Sequence, residues 1–128
     1  MDLTYFYNGY YPYITFIGKP KLTDFFEIIE GMLLRKKPFI FLLDCRKVKN
    51  FSVLNEGIMI LNWLKKNKIE LRKYLKGSTI VMESKIITDI LNWVFKIQPP
   101  VTPNLITRDI EEGKLFLEDY IPKELKSN

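Results

Sequence analysis

The stretch Pro38-Phe39-Ile40-Phe41-Leu42-Leu43-Asp44 constrains the architecture more than any other part of the chain. Proline pushes the residue before it out of helical geometry, so a helix preceding Pro38 must end at Lys37. The apolar residues that follow do not alternate with polar ones, and the run from Phe39 to Leu43 is far too short to span a bilayer. A half-solvated strand would alternate. An unbroken apolar run instead describes a central strand covered on both faces, which is a property of layered α/β sheets.

The rest of the chain supplies elements that fit around such a strand. Leu3 to Tyr7 and Tyr13 to Ile17 are rich in aromatic and β-branched residues, and Asn8-Gly9 between them readily supplies the positive φ angles of a tight turn. This predicts an antiparallel hairpin, with Pro12 near the start of an edge strand because it cannot donate to a ladder. A first helix should begin near Thr23 as cap, with Asp24 in its first turn. Leu22, Phe25, Phe26, Ile29, Met32 and Leu33 recur on it at helical spacing.

After the central strand, a loop from Asp44 to Phe51 leads to a second helix capped by Ser52, with Leu54, Ile58, Leu61 and Leu64 on one face. The pattern continues through Ile69, Leu71 and Leu75, as one helix or as two with a break near Asn67, and Gly77 reads as the stop. Thr79 to Met82 is a further buried strand. Ser84 caps a third helix that faces inward through Ile86, Ile87, Ile90, Leu91, Val94 and Ile97. A stiff loop with Pro99, Pro100 and Pro103 precedes a short strand, Asn104 to Thr107. Asp109 and Glu112 then form a capping-box-like pair at the last helix, which Pro122 closes. The order ββαβαβαβα predicts an α/β fold: a mixed sheet of about five strands, with an N-terminal antiparallel hairpin and four helices. No linker or repeat divides residues 1–128, so a single domain is expected.

Composition narrows the function. Histidine is absent and Cys45 is the only cysteine, which removes the commonest acid/base group and the usual zinc ligand sets. No glycine-rich phosphate loop is present. The reading is of a protein that is not an enzyme and carries no cofactor or metal. The net charge of +5 is spread along the chain, with Arg35, Lys36, Lys37, Lys73 and Lys76 at expected helix ends, where cations complement the dipole. A nucleic-acid partner is therefore not expected, nor is a membrane span. One cysteine cannot make an internal disulfide, and the opening Met1-Asp2-Leu3-Thr4-Tyr5 lacks the pattern of a signal peptide, so a cytoplasmic location is expected.

The chain resembles a STAS domain (sulfate transporter and anti-sigma-factor antagonist), and most closely the group called SpoIIAA-like. The similar features are the helix entry Leu22-Thr23-Asp24, the segment from Pro38 to Val48 with its apolar strand ending in Asp, Trp63-Leu64, the strand Ser78 to Met82, and the terminal Ile110 to Leu117. The resemblance covers nearly the whole chain and rests on pattern and order. It implies a STAS-like fold and a general binding role. Antagonists of anti-sigma factors carry an Asp-Ser-Ser-Gly-like stretch at the second helix whose serine is phosphorylated. Here Ser52 lies close to the Asp position of that motif, and Val53 and Leu54 stand at the serine positions, so the phosphorylation switch does not carry over.

Candidate binding residues follow from the rule that open α/β sheets bind ligands beyond the carboxyl ends of their strands. Those ends supply Asp44 and Arg46, then Glu83, then Arg108, with Ser52 at the next helix start. Against a ligand role, Asp and Arg after a strand commonly pair with each other, and Ser before a helix commonly caps it. Cys45 would be a redox sensor only with a depressed pKa; a small buried hydrophobe is the commoner role of a lone cysteine. Tyr5, Tyr7 and Tyr11 in the hairpin offer a possible protein-contact surface. The leading expectation is a non-catalytic protein-interaction module, regulatory in character, with a protein partner. The alternative is a small-ligand or lipid-binding domain using a pocket at the strand carboxyl ends.

Overall fold

The computed structural model describes residues 2–6, 11–18, 21–49 and 52–123, giving backbone alone for residues 2–6 and for Val53. Five strands, β1 (Asp2–Phe6), β2 (Tyr11–Gly18), β3 (Phe39–Val48), β4 (Leu75–Val81) and β5 (Asn104–Thr107), lie side by side in chain order. Four helices, α1 (Leu22–Leu34), α2 (Ile58–Tyr74), α3 (Lys85–Ile97) and α4 (Ile110–Glu118), complete the described fold, with a π-turn (Val53–Gly57) leading into α2.

The expectation of a mixed sheet grown from an antiparallel hairpin is corrected. The body of the sheet is β2, β3, β4 and β5, and all of these run parallel. Each is joined to the next by a helical crossover, and a crossover of that kind delivers the chain to a parallel neighbour. Only β1, outside β2 at the rim, runs antiparallel, with Asp2 opposite Thr15 and Phe6 opposite Tyr11. The Asn8-Gly9 turn expected between them lies outside the described residues. Because every crossover steps the same way, α1, α2 and α3 fall on one face of the sheet, and α4 returns over the other.

β3 shows why this arrangement holds. Side chains alternate across a strand, so Phe39, Phe41, Leu43 and Cys45 enter the core beneath α1 to α3. Ile40 and Leu42 enter a second, smaller core with Tyr11, Val81 and Leu117 beneath α4. Each such fully buried aliphatic or aromatic side chain is worth roughly 1.5–3 kcal/mol. On the larger face Phe25 meets Phe41 edge-on, at 5.6 Å between ring centroids. Trp63 of α2 stacks on Phe26 of α1 at 4.8 Å with the rings nearly parallel.

Several boundaries differ from the sequence reading. α1 begins at Leu22, with Lys21 at the cap position, no capping side chain there, and Thr23 already inside the helix. β3 does not stop at Leu43 but continues through Asp44, Cys45 and Arg46 to Val48, because Thr15 to Gly18 of β2 extend its pairing. α2 is one helix; Asn67 stays within it and donates to the Trp63 carbonyl at 3.0 Å. Its last N–H bond is made by Leu75, which is already extended and starts β4, so Gly77 lies in a strand rather than at a helix stop. The caps at Ser84 and Asp109 form, accepting from Ile87 N at 3.4 Å and Glu111 N at 2.9 Å. The reciprocal half of the capping box does not, because Asp109 N donates to Thr107 Oγ1 at 3.1 Å, and α4 ends at Glu118, ahead of Pro122.

α4 sits unusually close to the sheet. Thr79 Oγ1 donates to the Gly113 carbonyl at 3.1 Å, and a Cβ at Gly113 would fall 2.6 Å from Thr79 Cγ2. At an unhindered helix position Gly→Ala stabilises by about 1 kcal/mol. Here Gly113→Ala should instead destabilise by ~2 kcal/mol, since α4 must lift from β4. The measurement is thermal unfolding, with a Tm lower by about 5–10 °C; an unchanged or higher Tm would show that α4 does not depend on this approach.

Candidate functional site

Asp44 lies on the α4 side of β3, where the apolar run reaches the end of the small core. Its neighbours across the sheet are Thr15 of β2 and Val81 of β4. Arg46, two residues on, shares its face, and Tyr13 of β2 is a diagonal neighbour on that face. The carboxylate is buried, at 5% exposure, and its oxygens are fully used. Arg46 donates to Oδ1 from its backbone N at 3.1 Å and from Nε at 3.0 Å. Oδ2 accepts from Arg46 Nη2 at 2.7 Å and from the Tyr13 hydroxyl at 2.6 Å. Two oxygens offer about four lone-pair positions, and these bonds occupy them. The Arg46 side chain is about one-third exposed, at 34%.

This cluster sets its own charge states. Burial works to raise the Asp44 carboxyl, but hydrogen bonds from Arg46 and Tyr13 outweigh it and hold the group below its ordinary value. Burial, then the hydrogen bond to Asp44, pushes the Tyr13 phenol up to about 12. The Asp44 carboxylate holds the guanidinium of Arg46 protonated. Cys45 points to the opposite face, and burial raises its thiol to about 12. That is the reverse of the depressed pKa a thiol sensor needs.

The other strand-end candidates sit elsewhere. Glu83 and Arg108 are exposed and share an open depression with Met82, Lys85, Thr88, Ile106 and Thr107, past the ends of β4 and β5. Neither Asp44 nor Arg46 lines it. Ser52 is at the π-turn. Its hydroxyl accepts from Asn55 N at 3.1 Å and donates to Glu56 Oε2 at 3.0 Å, while its own N donates to Glu56 Oε2 at 3.3 Å. Its carbonyl takes the N–H groups of both Glu56 and Gly57, each at 3.0 Å. Ser52 thus locks the turn, with Glu56 buried beneath it. Among the described residues no hydrogen bond or ion pair joins Asp44 and Arg46 to Glu83, Arg108 or Ser52. Strand order follows chain order without reversal, so the described sheet has no switch point at which such residues would meet in a crevice.

The aromatic surface is corrected as well. Tyr11 is only 1% exposed and packs in the small core with Ile40, Leu42 and Leu117, so it is no contact surface. Tyr5 holds the β1 position opposite Pro12, and its side chain, like the whole of Tyr7, lies outside the described residues.

Sequence reasoning missed a different surface. Ile86 and Ile97, expected to face inward, are exposed together with Trp93 along the outer edge of α3, while Ile87, Ile90, Leu91 and Val94 are buried. Leu54, Ile58 and Met59 are exposed on the π-turn and the first turn of α2. The two parts adjoin: a Cβ at Gly57 would lie 3.3 Å from Ile90 and 3.7 Å from Trp93. An open groove continues this surface between Leu54 to Met59 and Lys21 to Thr23 of α1. The signal was present in α3, whose apolar residues spread over too wide an arc to be buried by one contact face.

Among known proteins, no family model, no curated protein and no solved structure matches this chain.

Asp44→Asn should cost ~2 kcal/mol at pH 7, less than a fully buried pair because Arg46 is partly exposed. A lowered carboxyl pKa gives stability that is present above about pH 4 and lost as pH falls through the folded value. The gap between wild type and Asp44→Asn should therefore close on acidification. Tyr13 has the opposite sign: its contribution persists below about pH 10 and fades as pH rises towards 12, a loss that Tyr13→Phe should remove. Urea midpoints measured from pH 2 to 11 check both, and a pH-independent gap would contradict the Asp44 assignment.

Proposed function

We propose that the chain is a non-catalytic protein-interaction module of STAS-like fold, regulatory in role, that holds its partner on the apolar surface of the π-turn and outer α3. The observation that carries this reading is the joint exposure of Leu54, Ile58, Met59, Ile86, Trp93 and Ile97 on two elements packed against each other. Single exposed apolar residues such as Leu34 and Ile69 are ordinary on a folded protein. Exposed Trp and Met on adjoining elements are of another kind, because these residues are enriched at interface cores and Met adapts its shape to a partner. Exposed Asn55, Asn62, Asp89 and Lys96 supply polar groups around it.

The element order and the strand running from Phe39 into Asp44 support the STAS-like part of the proposal. In this chain the start of the second helix offers apolar side chains and a serine already committed to Glu56, which supports recognition by contact rather than by a phosphate. The saturated Asp44–Arg46–Tyr13 cluster belongs to the opposite face of the sheet and acts as a brace there.

The test is co-purification of the full chain from its native host, comparing wild type with Leu54→Asp, Trp93→Ala and, as a remote control, Arg108→Ala. Leu54 and Arg108 are well exposed, so their replacement should change stability by no more than about 0.5 kcal/mol. Trp93 is only 37% exposed and its ring lies near Gly57, so Trp93→Ala should cost roughly 1–3 kcal/mol, and circular dichroism checks that each variant is folded. A stoichiometric protein should accompany wild type and Arg108→Ala, and fall at least about tenfold with Leu54→Asp or Trp93→Ala. Equal recovery by all four proteins would remove this face from the proposal. A wild-type chain carrying only a small molecule would favour the ligand-binding alternative.

A further inference from the structure

Positive charge that is spread along the sequence is gathered by the fold. Residues 35–37 and 65–76 hold nine Lys and Arg against one carboxylate, Glu70, a net +8 in a chain whose total is +5. The first stretch follows α1, and the second is the later part of α2 with the start of β4. Both helices cross between parallel strands, so they run the same way, and Phe26 of α1 stacks on Trp63 of α2. The strands they lead into are paired at their first residues, Phe39 with Leu75. The two basic stretches therefore meet at one end of the same helical layer.

Two aliphatic side chains project from this basic surface. Leu34 is 80% exposed and Ile69 is 78% exposed. Counted from the stacked Phe26–Trp63 pair, they lie about 12 Å further along α1 and about 9 Å further along α2, at a similar level. Residues three and four apart share a helix face, which places Lys65, Lys66, Arg72 and Lys73 around Ile69. Leu34 is followed by Arg35, Lys36 and Lys37, all exposed. Lys36 has a φ of 55°, so a cation stands where the backbone alone would favour glycine. On α1 the nearest carboxylate is Glu30, one turn before Leu34 and half-buried. Among the described residues no ion pair takes up any of these cations. Helix dipoles favour cations only in the last turn, which leaves Lys65 and Lys66 unaccounted for. One exposed aliphatic residue is ordinary. Two of them, each set among cations on adjoining helices, match the headgroup layer of an anionic bilayer.

We propose that the C-terminal ends of α1 and α2 form a membrane-surface site. Anionic phospholipid headgroups bind the cations, while Leu34 and Ile69 enter the boundary between headgroups and acyl chains. Nucleic acid would also attract the cations, but phosphate contacts gain nothing from an aliphatic side chain. Neither basic stretch offers an exposed aromatic residue on which a base could stack. The site shares no residue with the surface of the π-turn and α3, so it stands whether or not that surface holds a protein.

The experiment is sedimentation of the full chain with sucrose-loaded vesicles, either pure phosphatidylcholine or containing about one-third phosphatidylserine. The chain should sediment with the anionic vesicles and stay in solution with the neutral ones. Lys66→Gln and Arg72→Gln should each weaken binding about fivefold. Ile69→Gln keeps the charge and should weaken it about tenfold, because only the apolar insertion is lost. Arg108→Gln removes a cation beyond the opposite end of the sheet and should change binding by less than about twofold. All four positions are exposed, and circular dichroism checks that each variant is folded. Absence of sedimentation with the anionic vesicles would overturn the proposal. An equal loss in Arg108→Gln would also overturn it, by showing an effect of net charge, as would full binding by Ile69→Gln. Duplex DNA that displaces the vesicles and binds wild type and Ile69→Gln alike would assign the surface to nucleic acid instead.

Discussion

Burial of β3 on both faces is the constraint from which the remaining structure follows. Strand geometry sends Phe39, Phe41, Leu43 and Cys45 one way and Ile40, Leu42 and Asp44 the other, so two separate layers must be supplied. Successive crossovers in one direction deliver α1, α2 and α3 to the first face. The second face is left to α4, which approaches closely because Gly113 has no side chain to hold it away from Thr79. At the end of the apolar run the same alternation places a carboxylate in the α4-side layer, where an unpaired charge would be prohibitive. The period of two that buries Asp44 also brings Arg46 to the same face, and the adjacent strand contributes Tyr13.

The Asp44 oxygens are consumed within the protein, so the most conspicuous polar cluster serves the sheet. The π-turn has a comparable internal economy: Ser52 and Glu56 satisfy each other and the turn's backbone, and the extra residue of a π-turn re-aims the side chains that follow. Leu54, Ile58 and Met59 are left exposed. The larger core meanwhile holds Trp63 by stacking, and its N–H has no acceptor among the described residues. The two tryptophans thus differ in setting, Trp93 partly exposed on α3 and Trp63 packed against the larger core.

How much of this was legible depended on the range of the interactions involved. The helix caps at Ser84 and Asp109, the helical stripe of α1 and the double coverage of β3 could be read because each is determined within a few residues by periodicity or capping. The orientation of Ile86 and Ile97 could not, since α3 has more apolar positions than one contact face can bury and only its neighbours decide which are covered. Tyr11 was misread for a related reason: an aromatic residue at the start of a strand looks the same in sequence whether or not a distant helix covers it.

By itself the sequence determined the order of strands and helices and that the Phe39–Leu43 run must be enclosed. It also excluded histidine chemistry and an internal disulfide. Tertiary structure alone decided that β2 to β5 are all parallel, that β3 runs on past Asp44, and that Arg46 and Tyr13 take up the Asp44 oxygens. The reason is separation along the chain. Tyr13 reaches Asp44 across 31 residues and Thr79 reaches Gly113 across 34, and no local pattern encodes such pairings until the layers have packed.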